Sequence, residues 1–494
     1  MSETSQPPPP VDGTDAPVAP SAIDASCRVP VLLLFAGTAF WLVAGLLLGF
    51  LASVKFHSPA FLASSPWLTY GRIQPAGMNA LVYGFCLPTA VGVALWMLAR
   101  LGRTPLVRAS TAVMGGLLWN LGVVAGLYGI LKGDSTGFEL LEMPAYAAPL
   151  LFVAFAFLAA SAFLTFQARR VTELYVSHWF LIAALFWFAW IFSTANLLLL
   201  FRPVRGVMQA LVNWWYLNNL LAIVLGFFGL AIIFYFVPKL TRRPLHSYAL
   251  ALFAFWALVL FAPWGGLPPG APLPAWIPSV SSFFTFLTVI PALAVAVNLG
   301  KTLFGRDAAV RDPAATGNVP LRFMIVGALA LLAFTFLGAA MAFREVSSVT
   351  HFTWLVRAQT QLFLLGFVTM VLLGAMHYII PALLPDGEFC PKGARITFLT
   401  AVLGALLTVL PLLGGGVREG LALTSRPDAG FMDIAHSSLM WLRVSTTGEL
   451  LLLLSGLGFA FNFSRALVTA CRACCLPAWK AVSSSQPAPA EVTP

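Results

Sequence analysis

Charged residues are scarce in this sequence. Asp, Glu, Lys and Arg make up 9% of its 494 residues, whereas hydrophobic residues make up 60% and the mean hydropathy is +0.89. A soluble globular chain carries roughly 25% charged residues. The deficit excludes a soluble enzyme with a large core and predicts a polytopic membrane protein. We therefore assign the net charge of +10 to cytoplasmic loops and predict no nucleic-acid partner.

Cysteine and histidine are also few, with six of each. No cysteine falls in a loop that we place outside the membrane, so a disulfide framework is not indicated. The sequence contains no CxxCH motif, so no c-type haem is attached to this chain. We interpret all six histidines as interfacial or loop residues: His57, His178, His246, His351, His377 and His436.

What the sequence has instead is a series of long apolar runs, each near the ~20 residues that cross a bilayer. The pattern predicts an all-α integral membrane protein with twelve transmembrane helices in one domain, residues 29–465. The Pro-rich stretch 1–28 and the stretch 466–494 are predicted to be disordered tails. The predicted spans are 29–54, 76–100, 108–131, 145–167, 174–201, 212–237, 247–264, 276–300, 320–342, 350–382, 396–414 and 437–463.

Lys and Arg residues are distributed unequally between the predicted loops. Loops that follow even-numbered spans hold most of them, for example Arg100, Arg103 and Arg108 after the second span. Loops that follow odd-numbered spans hold far fewer. Because basic loops stay in the cytoplasm, this asymmetry predicts that both termini are cytoplasmic. The expected location is a bacterial inner membrane.

Residues 347–381 carry polar side chains at an unusual depth. Arg357, Gln359 and Gln361 lie in the outer third of the tenth predicted span. Polar groups there are costly in hydrocarbon, so they are expected to face the bundle interior or a polar cavity. Two residues apart on a helix corresponds to about 200° around its axis. The spacing predicts that one helix presents Gln359 and Gln361 to different sites on its two sides.

Five segments, in the same order, resemble subunit I of the haem-copper oxidases, most closely the cbb3 type. The resemblance covers about residues 29–465 and implies the twelve-helix arrangement of that family and a place in respiratory electron transport. The segments are TYGRIQPAGMNALVYGF at 69–85, YVSHWFLIAALF at 175–186, the WWY, FVPK and RPLHSY elements within 213–258, Gln359-Thr360-Gln361 with Gly366-Phe367, and WLRVSTTGELLLLLSGLGFAFNF at 441–463.

The resemblance implies haem ligands that this sequence does not contain. The family holds its low-spin haem between two histidines, and their positions here are Gly77 and Gln361. The position of the high-spin haem ligand is Gln359. Glycine offers no ligand, and an amide is a poor ligand for iron compared with imidazole. The sequence therefore predicts no bound haem and no catalytic residues.

The copper positions implied by the resemblance are changed as well. The helix 6 ligand falls at Asn218, and the histidine pair after helix 7 falls within Gly266 to Pro269, at Pro268 and Pro269. The family's redox tyrosine falls at Ala262. We predict that no metal is bound. An unusual haem remains open as an alternative, held by His178, His246 and His377 or by Met78.

Seven intramembrane polar residues remain to be explained. We expect their side chains to hydrogen-bond one another in the space that a cofactor would fill, since buried polar groups in a bilayer must be satisfied. Another possibility is a pocket for a quinone, a lipid or a small solute. Arg357 or Arg443 would be the ion-pair partner of Glu449. The set is Asn79, Asn218, Arg357, Gln359, Gln361, Arg443 and Glu449.

Three functions are compatible with these features. The favoured one is a non-catalytic subunit I-like protein that acts as a subunit or scaffold of a respiratory membrane complex. The resemblance implies partners of that kind, such as a membrane-anchored c-type cytochrome, within the lipid bilayer. The second is an active terminal oxidase or nitric-oxide-reductase-like core with unusual ligation of haem b. The third is a small-molecule transporter, which the intramembrane charges Arg357 and Glu449 would suit.

Overall fold

A computed structural model describes residues 18–304, 318–425 and 430–484, and within these ranges the protein contains helices and no strands. Eleven of the described helices are long and apolar enough to cross a membrane, and a twelfth apolar helix is shorter. The predicted all-α membrane fold with twelve helices is confirmed. The helices are α1 (Pro20–His57), α2 (Tyr70–Gly102), α3 (Ala109–Lys132), α4 (Ala147–Gln167), α5 (Val176–Phe201), α6 (Met208–Thr241), the shorter α7 (Tyr248–Trp264), α8 (Trp276–Phe304), α9 (Val319–Met341), α10 (Trp354–Leu383), α11 (Pro391–Ser425) and α12 (Met432–Ala473).

Three of these helices occupy the centre of the bundle. The apolar windows of α2, α6 and α10 are 94–100% buried, whereas those of the other long helices are 22–50% buried. A helix that is apolar on all sides and buried by its neighbours is typical of the centre of a large membrane bundle. The remaining helices therefore surround α2, α6 and α10, and their outer faces are available to lipid.

The bundle has two ends, which we name by their loops. The connections after even-numbered helices form the even-loop end, and those after odd-numbered helices form the odd-loop end. At the even-loop end an aromatic cluster joins the central helices: Trp96 of α2 stacks on Phe236 of α6, with ring centroids 6.1 Å apart, and both rings meet Tyr378 of α10 edge-on. Lys239 Nζ lies 5.1 Å from the centroids of Trp96 and Tyr378. These contacts fix the three central helices at this end.

Glycines allow the last two helices to pack backbone against backbone. A Cβ atom added at Gly404 of α11 would lie 2.9 Å from the Leu452 nitrogen and 3.0 Å from the Gly448 carbonyl oxygen of α12. Gly448 in turn faces the backbone of Thr408 on α11. Small residues at helix interfaces permit this close approach, which is a main source of packing energy in membranes.

The ordered domain is longer than predicted at both ends. Helix α1 begins at Pro20, and Asp24 accepts a 2.9 Å hydrogen bond from Trp96 Nε1 and lies 3.5 Å from Arg100 Nη1. The helix that contains the α12 span is longer than that span and runs from Phe431 to Ser484. Residues 20–28 and 466–484 are therefore helical, which corrects the disorder predicted there. At the first of these ends the partners of Asp24 lie far away in the sequence, on α2. Residues 1–17 and 485–494 of the predicted tails lie outside the described residues.

We expect the Gly404→Ala variant to be destabilised by about 1–3 kcal/mol, because the new methyl group meets backbone atoms of α12 that cannot rotate away. The measurement is the thermal unfolding of purified protein in detergent. Gly300→Ala in α8 is the matched control, since a Cβ at that position meets no atom within 4 Å. Equal unfolding temperatures for the two variants would contradict the close approach of α11 and α12.

Candidate functional site

Two cavities involve the predicted site residues, and the larger of them, of about 330 Å³, lies among α6, α7, α8, α9 and α10. Its walls include Asn218, Ala262, Pro268, Pro269 and Gln359. The positions that the sequence comparison assigned to copper, the high-spin haem ligand and the redox tyrosine thus converge on one space. They come from three separate parts of the chain, and only the packing of the helices brings them together.

Asn218 and Gln359 differ in how their amides are used within this cavity. Asn218 Nδ2 donates a 2.8 Å hydrogen bond to the Ala262 carbonyl oxygen, which anchors the turn after α7. The Gln359 amide forms no hydrogen bond within the described residues, and its Nε2 lies 3.0 Å from where a Cβ of Gly338 would be. Glycine at position 338 therefore leaves room for a free amide in the cavity wall.

The smaller cavity, of about 20 Å³, lies where α1, α2, α10 and α12 meet. Gly77, Arg357, Gln361 and Glu449 line it. A Cβ at Gly77 would lie 3.1 Å from the nitrogen of Gly49 and 3.3 Å from the Gly45 carbonyl oxygen, both in α1. A space of this volume holds about one water molecule. Backbone atoms of α1 thus lie close to the place where a side chain at position 77 would begin.

Gln359 and Gln361 face these two cavities separately, as their spacing predicts. Residues 354–361 of α10 form a regular α-helix, which preserves the angle of about 200°. Gln359 lines the larger cavity, whereas Gln361 lines the smaller one, where its Nε2 lies 4.0 Å from Met78 Sδ. The Gln361 Oε1 atom is buried without a hydrogen-bond partner in the described part of the chain.

The predicted set of polar residues does not form one cavity. Asn79 lines neither space, because its Nδ2 donates 2.6 and 2.8 Å hydrogen bonds to Glu142 Oε2 and the Pro75 carbonyl oxygen. Arg443 is exposed and lines neither. Among the described residues, neither Arg357 nor Arg443 forms an ion pair within 4 Å of Glu449. Periodicity placed these residues in the membrane but did not indicate which way each side chain turns.

Arg357 is instead stabilised by aromatic neighbours. Its guanidinium carbon lies 5.1 Å from the ring centroid of Phe56, and its Nη1 donates a 3.4 Å hydrogen bond to Tyr70 Oη. A cation over an aromatic face is stabilised electrostatically at a moderate cost in desolvation. This arrangement keeps the charge at the odd-loop end of the smaller cavity.

The loop that connects α3 and α4 contributes buried polar residues that no sequence pattern predicted. This loop folds over α2 and α6, where Tyr83 Oη donates a 2.6 Å hydrogen bond to the Leu140 carbonyl oxygen and accepts one from Tyr216 Oη. Glu142 is 8% exposed beside Asn79. Burial raises the pKa of Glu142 to about 7, although the hydrogen bond from Asn79 acts in the opposite direction. The presence of two acidic residues, Glu139 and Glu142, in an otherwise apolar chain could have indicated that this loop is functionally important.

Each central helix also contains a π-helical segment that periodicity could not reveal. The segments are Ala80–Cys86 in α2, Asn219–Leu225 in α6 and Leu362–Thr369 in α10. They begin directly after Asn79, Asn218 and Gln361. π-helical segments are rare in proteins overall, but those that occur often lie at functional sites. The wider turn redirects the side chains that follow it.

The histidines do not form the alternative haem site. His178 packs against Phe166 of α4, and His377 packs among Phe323, Phe389 and Phe459. The backbone N–H of His246 donates a hydrogen bond to the Thr302 hydroxyl oxygen in α8. These are three separate environments. His351 is different, because it lines the larger cavity from the odd-loop end, just before α10 begins.

The residues present fit haem and copper poorly. The larger cavity offers one imidazole, that of His351, together with amides, hydroxyl groups and prolines. The smaller cavity offers no imidazole and is far too small for a porphyrin. Among the described residues, no group of three or more His, Cys, Asp or Glu side chains is placed to hold a metal ion. Amides bind these metals weakly compared with imidazole.

Comparisons with known proteins agree with this architecture. Residues 29–451 match the family model described as Cytochrome C and Quinol oxidase polypeptide I. The chain is 26% identical over 462 residues to the Cbb3-type cytochrome c oxidase subunit CcoN1 of Stutzerimonas stutzeri, covering 91% of this chain and 94% of the relative. It is 26% identical over 434 residues to a Cytochrome c oxidase subunit 1 homolog of Azorhizobium caulinodans, covering 85% and 78% of the two chains.

A solved structure shares the fold. A chain of a heme-copper terminal oxidase dimer superposes with a TM-score of 0.68, covering 91% of this chain and 84% of the other, at 16% sequence identity. The twelve-helix arrangement of this chain is therefore that of a haem-copper oxidase.

The stability of the protein should depend on pH through Glu142. Because burial raises its pKa to about 7 in the folded state, above the ordinary value of about 4.3, its contribution to stability is present at low pH and is lost as the pH rises through 7. The unfolding temperature of the wild-type protein should fall between pH 6 and pH 8. The Glu142→Gln variant, which retains an acceptor for Asn79, should show a smaller fall.

Glu173→Gln is the matched control, since Glu173 is exposed in the α4–α5 loop. It should keep the wild-type difference between pH 6 and pH 8. An unchanged pH dependence in Glu142→Gln would show that this carboxyl group is ionised across the whole range.

Proposed function

Because this chain belongs to the cytochrome c and quinol oxidase polypeptide I family, we propose that it is a subunit I-like protein of the cbb3 type that lacks haem and copper. Its role is that of a non-catalytic subunit or scaffold in a respiratory electron-transport complex. The observation that carries the proposal is the packing of α1 against Gly77, where a family member needs a histidine that reaches iron.

The side chains at the other ligand positions support the same conclusion. Gln359 and Asn218 offer amides where the resemblance calls for imidazoles, and Pro268 and Pro269 offer no donor atom. Without these ligands neither haem iron nor copper is held strongly. Ala262 supplies no phenol for electron and proton transfer. Each change alone would weaken a cofactor site, and together they leave no metal pair at which dioxygen could be reduced.

The preserved framework supports a structural role over simple decay. The three central helices remain almost completely buried, and their aromatic cluster at Trp96, Phe236 and Tyr378 is intact. A decaying membrane chain would accumulate charges in these helices, where charged side chains are costly and otherwise rare. A protein that acts through contacts on its surface still needs this buried interior to keep its fold.

We assign the protein to a bacterial inner membrane with both termini cytoplasmic. The even-loop end carries most of the basic residues, among them Arg100, Lys239 and Arg243. Basic loops are held on the cytoplasmic side. The proposed partners are other respiratory membrane subunits, including a membrane-anchored c-type cytochrome, which would contact the chain within the bilayer or at the odd-loop end.

One observation favours a second function. His351 lines the larger cavity together with Gln359, so a single haem bound through this imidazole would make the chain an oxidase-like or nitric-oxide-reductase-like core with unusual ligation. Burial lowers the pKa of His351, which keeps the imidazole neutral and able to ligate. This alternative requires iron in the purified protein.

The purified protein should show no reduced-minus-oxidised haem spectrum and less than a tenth of an equivalent of iron or copper. The reason is that neither of the two cavities offers two imidazoles to one porphyrin. The S. stutzeri relative, purified in the same way, serves as the positive control. Stoichiometric haem would contradict the proposal, and its loss in a His351→Ala variant would identify the alternative.

A scaffold role predicts a defect in assembly. Deletion of the gene should lower the amount of a membrane complex, measured by native electrophoresis and haem staining of c-type cytochromes. Complementation with a Gln359→Ala variant should restore the complex fully, since this side chain faces a cavity rather than a partner. Wild-type levels of every respiratory complex in the deletion strain would overturn the scaffold role.

A further inference from the structure

The larger cavity carries an acidic residue and no basic one in its described lining. Glu139 lines it from the odd-loop end, where this residue is exposed, and no Lys or Arg is present. Arg357 lines the smaller cavity instead. A cationic ligand would therefore meet an opposite charge and no like charge, whereas a phosphate or carboxylate would meet a carboxylate.

Glu139 is held at this end of the cavity by two hydrogen bonds to α6. Its backbone N–H donates to Asn213 Oδ1 at 3.2 Å, and Asn213 Nδ2 donates to its carbonyl oxygen at 3.1 Å. Asn213 directly precedes Trp214, which lines the cavity. The loop between α3 and α4 is thus anchored where it brings a carboxylate to the mouth of the cavity.

Four threonines of the lining have no hydroxyl hydrogen left for a ligand. Each donates its hydrogen to a backbone carbonyl oxygen of its own chain segment. The bonds are Thr285 to Ser281 at 2.9 Å, Thr288 to Thr285 at 2.6 Å, Thr335 to Leu331 at 2.9 Å and Thr360 to Val356 at 3.3 Å. Towards a ligand these hydroxyl groups can only accept hydrogen bonds.

Hydrogen-bond acceptors therefore outnumber donors among the side chains of the lining. The four threonines and Glu139 only accept, whereas the Trp214 indole only donates. The remaining polar side chains can do both: Asn218, Ser347, His351 and Gln359. A ligand that matches this surplus supplies donors, and a primary ammonium group supplies three N–H donors and no acceptor.

Aromatic rings provide a second feature that favours a cation. The ring centroids of Phe334 and Phe363 lie 4.7 Å apart, and both residues line the cavity together with Trp214. The face of an aromatic ring attracts a positive charge, most strongly when water is excluded. This attraction acts in the same direction as the charge of Glu139.

The cavity continues beyond its polar end into apolar surroundings. It borders α6 from Trp214 to Leu230, a distance of roughly 24 Å at 1.5 Å per residue. Deeper in the bundle its walls are largely aliphatic: Leu230, Leu258, Ala292, Val295 and Leu331. The ligand that fits this gradient carries an apolar chain behind its donor group.

From these observations we infer that the larger cavity binds an amphipathic primary amine as its ammonium ion. The charged group lies at the odd-loop end and the apolar chain lies among the aliphatic side chains. This site makes the chain a binding protein for an organic cation, which goes beyond a scaffold role. The inference rests on the proposed absence of haem, because a porphyrin would occupy the same space.

The test titrates the full-length protein in detergent with hexylammonium chloride at pH 7, where alkylammonium groups are protonated. We expect saturable binding of one ion per chain by isothermal titration calorimetry. Hexanoate should bind at least tenfold more weakly, because its charge is reversed. Hexyltrimethylammonium should also bind at least tenfold more weakly, because it keeps the charge but has no N–H donor. Equal affinity for either of these ligands and hexylammonium would overturn the inference.

Two isosteric pairs of variants locate the charged group. Glu139→Gln should weaken binding of hexylammonium at least threefold, whereas Glu345→Gln should not, since Glu345 is exposed at the same end and does not line the cavity. Thr335→Val should weaken binding at least threefold. Its control is Thr400→Val, because Thr400 makes the same kind of bond, to the Ile396 carbonyl oxygen, on a helix away from the cavity.

A third pair tests the apolar part of the site. Ala292 lines the cavity and is 7% exposed, so Ala292→Trp should fill the space and weaken binding at least tenfold. Leu293 is 47% exposed and does not line the cavity, so Leu293→Trp should bind as the wild type does. Wild-type binding by Ala292→Trp, Glu139→Gln and Thr335→Val together would place the ligand elsewhere and contradict the inference.

The haem spectrum of the same preparation separates this inference from the scaffold proposal. Haem-free protein that does not bind hexylammonium would contradict the inference and leave the scaffold role intact. Protein with stoichiometric haem would contradict both. Haem-free protein that binds hexylammonium, and loses this binding in Ala292→Trp, supports both.

Discussion

The nearly complete burial of α2, α6 and α10 is the constraint on which the rest of the structure depends. Every polar group on these helices lies in a medium without bulk water, so it must find a partner within the protein or face a cavity. Asn79 donates a hydrogen bond to Glu142, and the hydroxyl groups of Tyr216 and Tyr83 are hydrogen-bonded to each other. Asn218 bonds a backbone carbonyl, whereas Gln359 faces open space. The distribution of partners thus decides where the chain retains room for a ligand.

Two glycines have opposite effects on that room. At Gly77 the absence of a side chain lets α1 approach α2 closely, and the smaller cavity has a volume of only about 20 Å³. At Gly338 the absence of a side chain leaves space beside the Gln359 amide, and the larger cavity persists at about 330 Å³. In the first case the nearest atoms include the backbone of α1. In the second the nearest atom is the end of the Gln359 side chain.

This asymmetry connects the two proposals. A subunit I framework that binds no metal would still be stable, because the aromatic cluster at the even-loop end and the glycine contacts of α11 and α12 do not involve a cofactor. The remaining cavity is apolar for most of its length and carries no cation. A framework of this kind can serve as a partner surface and can also hold an amphipathic amine. Neither property depends on the other.

The sequence by itself determined the membrane class, the number of helices and the opposite facing of Gln359 and Gln361, because hydropathy and helical periodicity are local properties. It also brought the positions of Asn218, Ala262, Pro268 and Gln359 to one site through the family resemblance. It did not reveal the π-helical segments, the helical ends at Pro20 and Ser484, or the fold of the Glu142 loop. Those depend on partners that are distant in the sequence. Only the tertiary structure decided that α1 closes one cavity while α8 and α9 leave the other open, since that outcome depends on how whole helices approach one another.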